Sequence, residues 1–138
     1  MKRLFVVLYI GLLTVGCSVD SASNEPAYQT MFMPISEVEL PESFVFGQSY
    51  NIKVYYNVPS NCYSFSNFFF QDEDNIKTIA VINSVLTNVM CETYTNVTDV
   101  ASFDLRIDRN ESYIFKFWKG KNVNGEDDYY VVEVPVRR

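Results

Sequence analysis

An all-β domain, a sandwich of about seven antiparallel strands, is what the sequence predicts for residues 30–138. Three observations predict it. Short runs alternate apolar and polar residues and are rich in β-branched and aromatic types, which is the pattern of a half-buried strand. Clusters of Pro, Asn, Asp, Ser and Gly punctuate these runs at roughly the spacing of short strands, about every eight to twelve residues. Behind the N-terminal apolar run, no stretch has the helical repeat of a long amphipathic helix.

The chain opens with Lys2-Arg3, then the apolar run Leu4–Leu13. A basic start and a short apolar core describe a secretory leader. The run is too short to cross a bilayer as a helix, which takes roughly 20 residues. Thr14-Val15-Gly16-Cys17 follows and resembles the lipobox of bacterial lipoproteins. Gly16 fits the small residue at the cut and Val15 the position before it, while Thr14 departs from the usual Leu. The resemblance implies removal of residues 1–16 and acylation of Cys17. Several acyl chains would anchor the chain firmly, whereas one binds only marginally. Ser18 in place of Asp implies sorting to the outer membrane, and the polar stretch 17–29, with Pro26, reads as a lipidated tether. An ordinary leader with Cys17 as a free thiol is the plainer alternative.

The strands then follow in order. In Ser49–Val58, Tyr50, Ile52, Val54, Tyr56 and Val58 share one face, and Asn51, Lys53, Tyr55 and Asn57 share the other. Pro59-Ser60-Asn61 breaks the run. Cys62–Gln71 is a strand that turns at Asp72–Asn75 and returns through Ile76–Ile82. Val89–Tyr94 is a weaker strand. Ser102–Ile107 points Phe103, Leu105 and Ile107 inward, and Ser112–Lys119 points Tyr113, Phe115 and Phe117 inward. Asn124-Gly125 is a hairpin signal. Tyr129–Val136 closes the domain with Tyr130, Val132 and Val134 inward, and Pro135 marks an edge or an end. The segment Asp108–Trp118 resembles the turn and penultimate strand of an immunoglobulin-like sandwich. That likeness implies that the Tyr113 hydroxyl bonds nearby backbone as a corner tyrosine. The family's inter-sheet cysteine pair is absent from its usual strands, Phe115 standing at the second position. A small barrel is the alternative fold.

Three cysteines are present. With Cys17 acylated, Cys62 and Cys91 remain, and an exported domain pairs such a couple as a disulfide. The formal charge of −6 argues against a nucleic-acid binder, which carries a basic footprint.

The chain has no histidine, so the commonest general base, the usual nucleophilic triads and most zinc sites are excluded. No GxSxG elbow, phosphate loop or CxxC appears. No cofactor, metal or catalytic residue is expected. The acidic runs Asp72–Asn75 and Asn124–Asp128 lie in predicted turns, where Asp and Asn are common for conformational reasons. Outward-facing aromatics are the surplus. Tyr55, Trp118 and Tyr129 are the expected binding face, since Tyr and Trp suit sugar stacking or a protein hot spot. Cross-strand pairing that only stabilises a sheet is the plainer account. The expectation is a non-enzymatic envelope lipoprotein with a binding or accessory role and an envelope protein or glycan as partner. Surface carbohydrate capture and an exported protease-inhibitor-like domain are the alternatives.

Overall fold

The computed structural model describes residues 25–138. The expected leader at 1–16 and the expected lipidation site Cys17 lie outside them. Ten strands form, and among the described residues there is no helix. They are β1 (Tyr28–Met33), β2 (Ile35–Glu39), β3 (Phe44–Val45), β4 (Ser49–Asn57), β5 (Tyr63–Glu73), β6 (Ile76–Leu86), β7 (Thr98–Arg106), β8 (Tyr113–Lys121), β9 (Asp127–Val134) and β10 (Val136–Arg137). The larger sheet holds β5, β6, β1, β8 and β9. The smaller has the order β2-β4-β7, and β3 and β10 form a short pair. The strand count exceeds the expected seven because one N-terminal strand divides at Pro34 between the two sheets, and because β3 and β10 are two-residue strands.

The central strand β6 explains the topology. β5 pairs with Ile76–Val85 as an antiparallel hairpin, with a bulge between Phe65 and Asn67, closed by a tight turn in which Asp74 sits at φ 57°. On its other edge, β1 pairs antiparallel with Val81–Leu86 and β8 pairs parallel with Ile76–Ile79. This parallel pairing, and that of β10 with β3, correct the expectation of an all-antiparallel domain. β7 lies in the smaller sheet, so the chain leaves the larger sheet after β6 and returns as β8 in the same direction. β8 must part from β6 where β1 begins. A bulge between Trp118 and Gly120 marks that place. Gly120 has φ 114° there, a conformation that side chains rarely adopt, and a Cβ on it would face the Pro34 ring at 3.6 Å.

The core fills the space between the sheets. Ile52, Val54 and Tyr56 from β4 meet Ile79 and Val81 from β6 and Phe115 and Phe117 from β8, all fully buried. Each such side chain contributes about 1.5–3 kcal/mol on leaving water. The alternation read in β4 and β8 therefore holds. In β9 it holds only in part. Val134 is buried, but Tyr130, opposite buried Phe117, is 54% exposed. β9 is an edge strand, and Tyr130 overhangs a small hollow beside Ile35 and Val38 of β2 instead of entering the core.

Three further local findings bear on the expected elements. Tyr28 and Gln29, expected within the tether, already pair with Leu86 and Val85. Just before them, the Asn88 amide donates to the Glu25 carbonyl (2.8 Å) and accepts from the Ala27 N–H (2.9 Å). Val89–Tyr94 is not a strand. It is a loop held by the Cys62–Cys91 disulfide (Cα–Cα 5.6 Å), by the Asn61 side chain accepting from the Glu92 N–H (2.9 Å), and by one isolated bridge between Ser60 and Thr93. The Tyr113 hydroxyl donates to Asp108 Oδ1 (2.8 Å) and accepts from the Asp108 backbone N–H (3.2 Å). It thus fixes the turn before β8.

Candidate functional site

Side chains alternate across each strand of the larger sheet, so residues opposite one another share a face. The inward set on β6 is Ile79, Val81, Asn83 and Val85. Thr78, Ala80 and Ile82 therefore face out. Register then builds an outer row across four strands. Phe69 of β5 lies opposite Ala80 of β6, and Trp118 of β8 lies opposite Tyr129 of β9. Phe32 of β1, opposite Ile82, stands one step above the row. The smallest member of the row, Ala80, sits between large rings, and the result is a hollow.

This hollow is an open groove of about 550 Å³, bordered by Phe32, Phe69, Trp118 and Tyr129 around Ala80. It lies within the roughly 300–1,000 Å³ typical of small-molecule sites. The Phe32 ring meets Phe69 at 6.1 Å and Trp118 at 5.9 Å, both edge to face. Phe32 and Phe69 remain 48% and 40% exposed, so these apolar rings are presented to solvent and not packed away. Gln71, Thr78, Lys121 and Asp127 supply hydrogen-bonding groups to the same groove.

The polar end is tied together. The Trp118 indole N–H donates to Asp127 Oδ1 at 2.9 Å, and Lys121 Nζ lies 3.0 Å from the same oxygen. The indole donor first, and then Lys121, hold the Asp127 carboxyl below the usual aspartate range. Asp127 is therefore an ionised acceptor at neutral pH, and the indole ring is locked in orientation at the groove wall. The ammonium of Lys116 lies 4.7 Å from the centroid of the Tyr129 ring, a cation–π contact that steadies the far side.

Of the three residues expected to form a binding face, the structure brings Trp118 and Tyr129 together and separates Tyr55. Tyr55 lies on the outer face of the smaller sheet, on the opposite side of the sandwich. Its hydroxyl donates to Glu39 Oε1, and Glu39 in turn pairs with Lys53 at 3.1 Å. That hydrogen bond and Lys53 lower the Glu39 pKa. Strand alternation gives each residue's side of its own strand, but not which sheet that strand joins.

Phe32 and Phe69 are the residues that sequence reasoning missed. Phe69 was legible as one of three consecutive phenylalanines that cannot share a face. Phe32 falls in a strand that only pairing with β6 reveals. The acidic turns are engaged with lysines: Lys77 pairs with Asp72 (2.9 Å), and Lys119 pairs with Asp128 (3.2 Å). Among the described residues no group of three or more acidic or cysteine side chains is placed to hold a metal ion.

Compared with known protein families, curated proteins and solved structures, the chain matches none.

Proposed function

We propose that this chain is a non-enzymatic lipoprotein of the cell envelope, anchored in the outer membrane through lipid on Cys17, whose domain binds a ligand in the aromatic groove of its larger sheet. The observation that carries the reading is the groove itself. Exposed rings around a small floor residue are costly to leave in water unless something covers them, and bound hydrogen-bonding groups at one end supply orientation. The leader sequence and the Cys62–Cys91 bridge support export, since such bridges persist in oxidising compartments. We read the sandwich as immunoglobulin-like. The Tyr113–Asp108 contact supports that reading, and the parallel β6–β8 pairing is its chief departure.

A second reading, carbohydrate capture, draws on the mixture in the groove. A sugar ring has an apolar face of C–H groups and a rim of hydroxyls. Phe69 and Trp118 offer surface to the first, and Gln71, Thr78 and Asp127 offer partners to the second.

The test uses Trp118→Ala, which removes a wall, and Ala80→Leu, which fills the floor. The full chain is purified from membranes in detergent, its co-purifying proteins are identified, and it is applied to a glycan array. Glycan binding lost in both variants establishes carbohydrate capture. An envelope protein lost from both establishes an accessory role. Binding that both variants retain in full overturns the groove as the site. Protease shaving of intact cells, beside a periplasmic control, then gives the side of the membrane on which the groove faces.

A further inference from the structure

The two ends of the sandwich are unlike in charge. At one end the turns 72–75 and 107–112, joined by the Asn75 amide donating to the Ser112 carbonyl (2.8 Å), carry Asp72, Glu73, Asp74, Asp108, Arg109 and Glu111. At the other end lie the loops 58–62 and 87–97, clamped by the Cys62–Cys91 bridge, and Glu92 is their one charged residue. The longer of these loops is fixed on both sides of its tip. Before the tip, the Thr87 N–H donates to the Ala27 carbonyl (3.0 Å), and the Asn88 side chain binds the backbone of Glu25 and Ala27. After it, Cys91 is bridged to Cys62, and the Tyr94 N–H donates to the Pro59 carbonyl (2.8 Å). Val89 and Met90 form the tip between these ties. Val89 is exposed and Met90 wholly so, and Tyr28, opposite Leu86 at the start of β1, is exposed at the same end.

This loop also marks where the chain enters the domain. Glu25 accepts from the side chain of Asn88, the residue just before Val89. Eight residues carry the backbone from Cys17 to Glu25, a reach of at most about 29 Å. Acyl chains on Cys17 therefore hold the Val89–Met90 end of the domain close to the bilayer. The acidic end is excluded from that position. Standing on it would lift Glu25 by the length of β6, eleven residues and roughly 37 Å, which is beyond the reach of the tether.

We propose that the Val89–Met90 tip is a second membrane contact, entering the interface of the bilayer that holds the acyl chains of Cys17. It rests on the acylation of Cys17 proposed above. Apolar side chains gain by leaving water, but two or three of them are too few to bind a membrane alone. Tethering changes this, because a second contact on an anchored chain is intramolecular and meets its surface at a high effective concentration. The ties on both sides of the tip mean that little ordering is lost on contact. The loops at this end contain no lysine or arginine, so the contact draws on apolar burial and not on anionic headgroups. A zwitterionic bilayer is the surface it fits. The contact sets the domain upright. β6 runs toward the tip, and Ala80, the floor of the groove, lies six residues before Leu86, about 20 Å along the strand. The aromatic groove then opens sideways, clear of the headgroups.

The test uses the full chain, whose mass first establishes whether Cys17 is acylated, inserted through its lipid into preformed phosphatidylcholine vesicles. A membrane-impermeant oxidant is added, and the sulfoxides of Met31 and Met90 are followed by mass spectrometry. Met90 is 100% exposed and Met31 39%, so without a lipid contact Met90 oxidises first. The expected result on vesicles is the reverse order. In Val89→Asp, which places a charge on the exposed tip, Met90 is expected to oxidise first again, with circular dichroism and the disulfide unchanged. Met90 oxidising first in the acylated, unaltered chain overturns the contact and leaves the anchor standing. So does a reverse order that persists in Val89→Asp, or one seen in native membranes and absent from pure lipid, which assigns the tip to a protein partner. An unacylated Cys17 overturns the anchor and the contact with it.

Discussion

Phe32 and Trp118 meet edge to face, with ring centroids 5.9 Å apart, although their strands, β1 and β8, share no ladder. Both strands pair with the same edge of β6, one antiparallel and one parallel. The contact forms where β8 bends away and β1 takes its place. Edge-to-face pairs contribute about 0.5–1.5 kcal/mol beyond area burial. A double-mutant cycle of Phe32→Ala and Trp118→Ala, followed by urea unfolding, is expected to give a coupling energy in that range. Strict additivity would mean that the rings stabilise the groove independently.

The disulfide closes a loop across a separation of 29 residues. In the chain-entropy account such a loop is worth about 3–4 kcal/mol. Cys62→Ser with Cys91→Ser is expected to lower the unfolding free energy by that amount, read from denaturant midpoints at unchanged slope. The loop after β6 has no ladder of its own, so its amides should lose hydrogen-exchange protection first.

Tyr113 holds the turn before β8 through both the side chain and the backbone of Asp108. Its hydroxyl lowers the Asp108 pKa below the usual aspartate range. A carboxyl whose folded pKa is depressed contributes stability above its unfolded value, and loses it as the pH falls through the folded one. Tyr113→Phe is expected to cost about 1 kcal/mol at neutral pH. It should also flatten the acid limb of the stability curve below the ordinary aspartate range. A variant with the same acid limb as the unaltered chain would show that Asp108 is not held by this hydroxyl.

Asn83 is fully buried on the inner face of β6, and its amide makes no well-formed hydrogen bond among the described residues, its one polar contact being a weak one with the Tyr56 hydroxyl. It lies beside the Tyr56 hydroxyl, whose own bond goes to Asp99 at 3.1 Å. Burial is the main cause that raises the Tyr56 pKa. An unpaired buried polar group costs about 1–3 kcal/mol. Asn83→Leu, which keeps the branching of the side chain, is expected to raise stability by about 1 kcal/mol or more in thermal and urea unfolding. A loss of stability instead would mean that the amide has a partner in solution.

Much of this domain is determined by the sequence alone. Alternation in Ser49–Val58 and Ser112–Lys119 placed Ile52, Val54, Phe115 and Phe117 inward, because a strand buried on one face repeats every second residue. Cys62 and Cys91 formed the expected bridge, and the Tyr113 contact implied by the immunoglobulin-like resemblance formed in the turn before β8. The alternation is a local property of each strand. What the tertiary structure decided is which strand lies beside which. It placed Phe32 and Phe69 next to Trp118, and it sent Tyr55 to the other side of the sandwich. It set β8 parallel to β6 and left Tyr130 overhanging an open margin. The physical reason is that periodicity fixes the side of a strand a residue occupies, while a groove on a sheet is made by neighbours in register. Those neighbours are set by long-range pairing, which no single stretch of sequence contains.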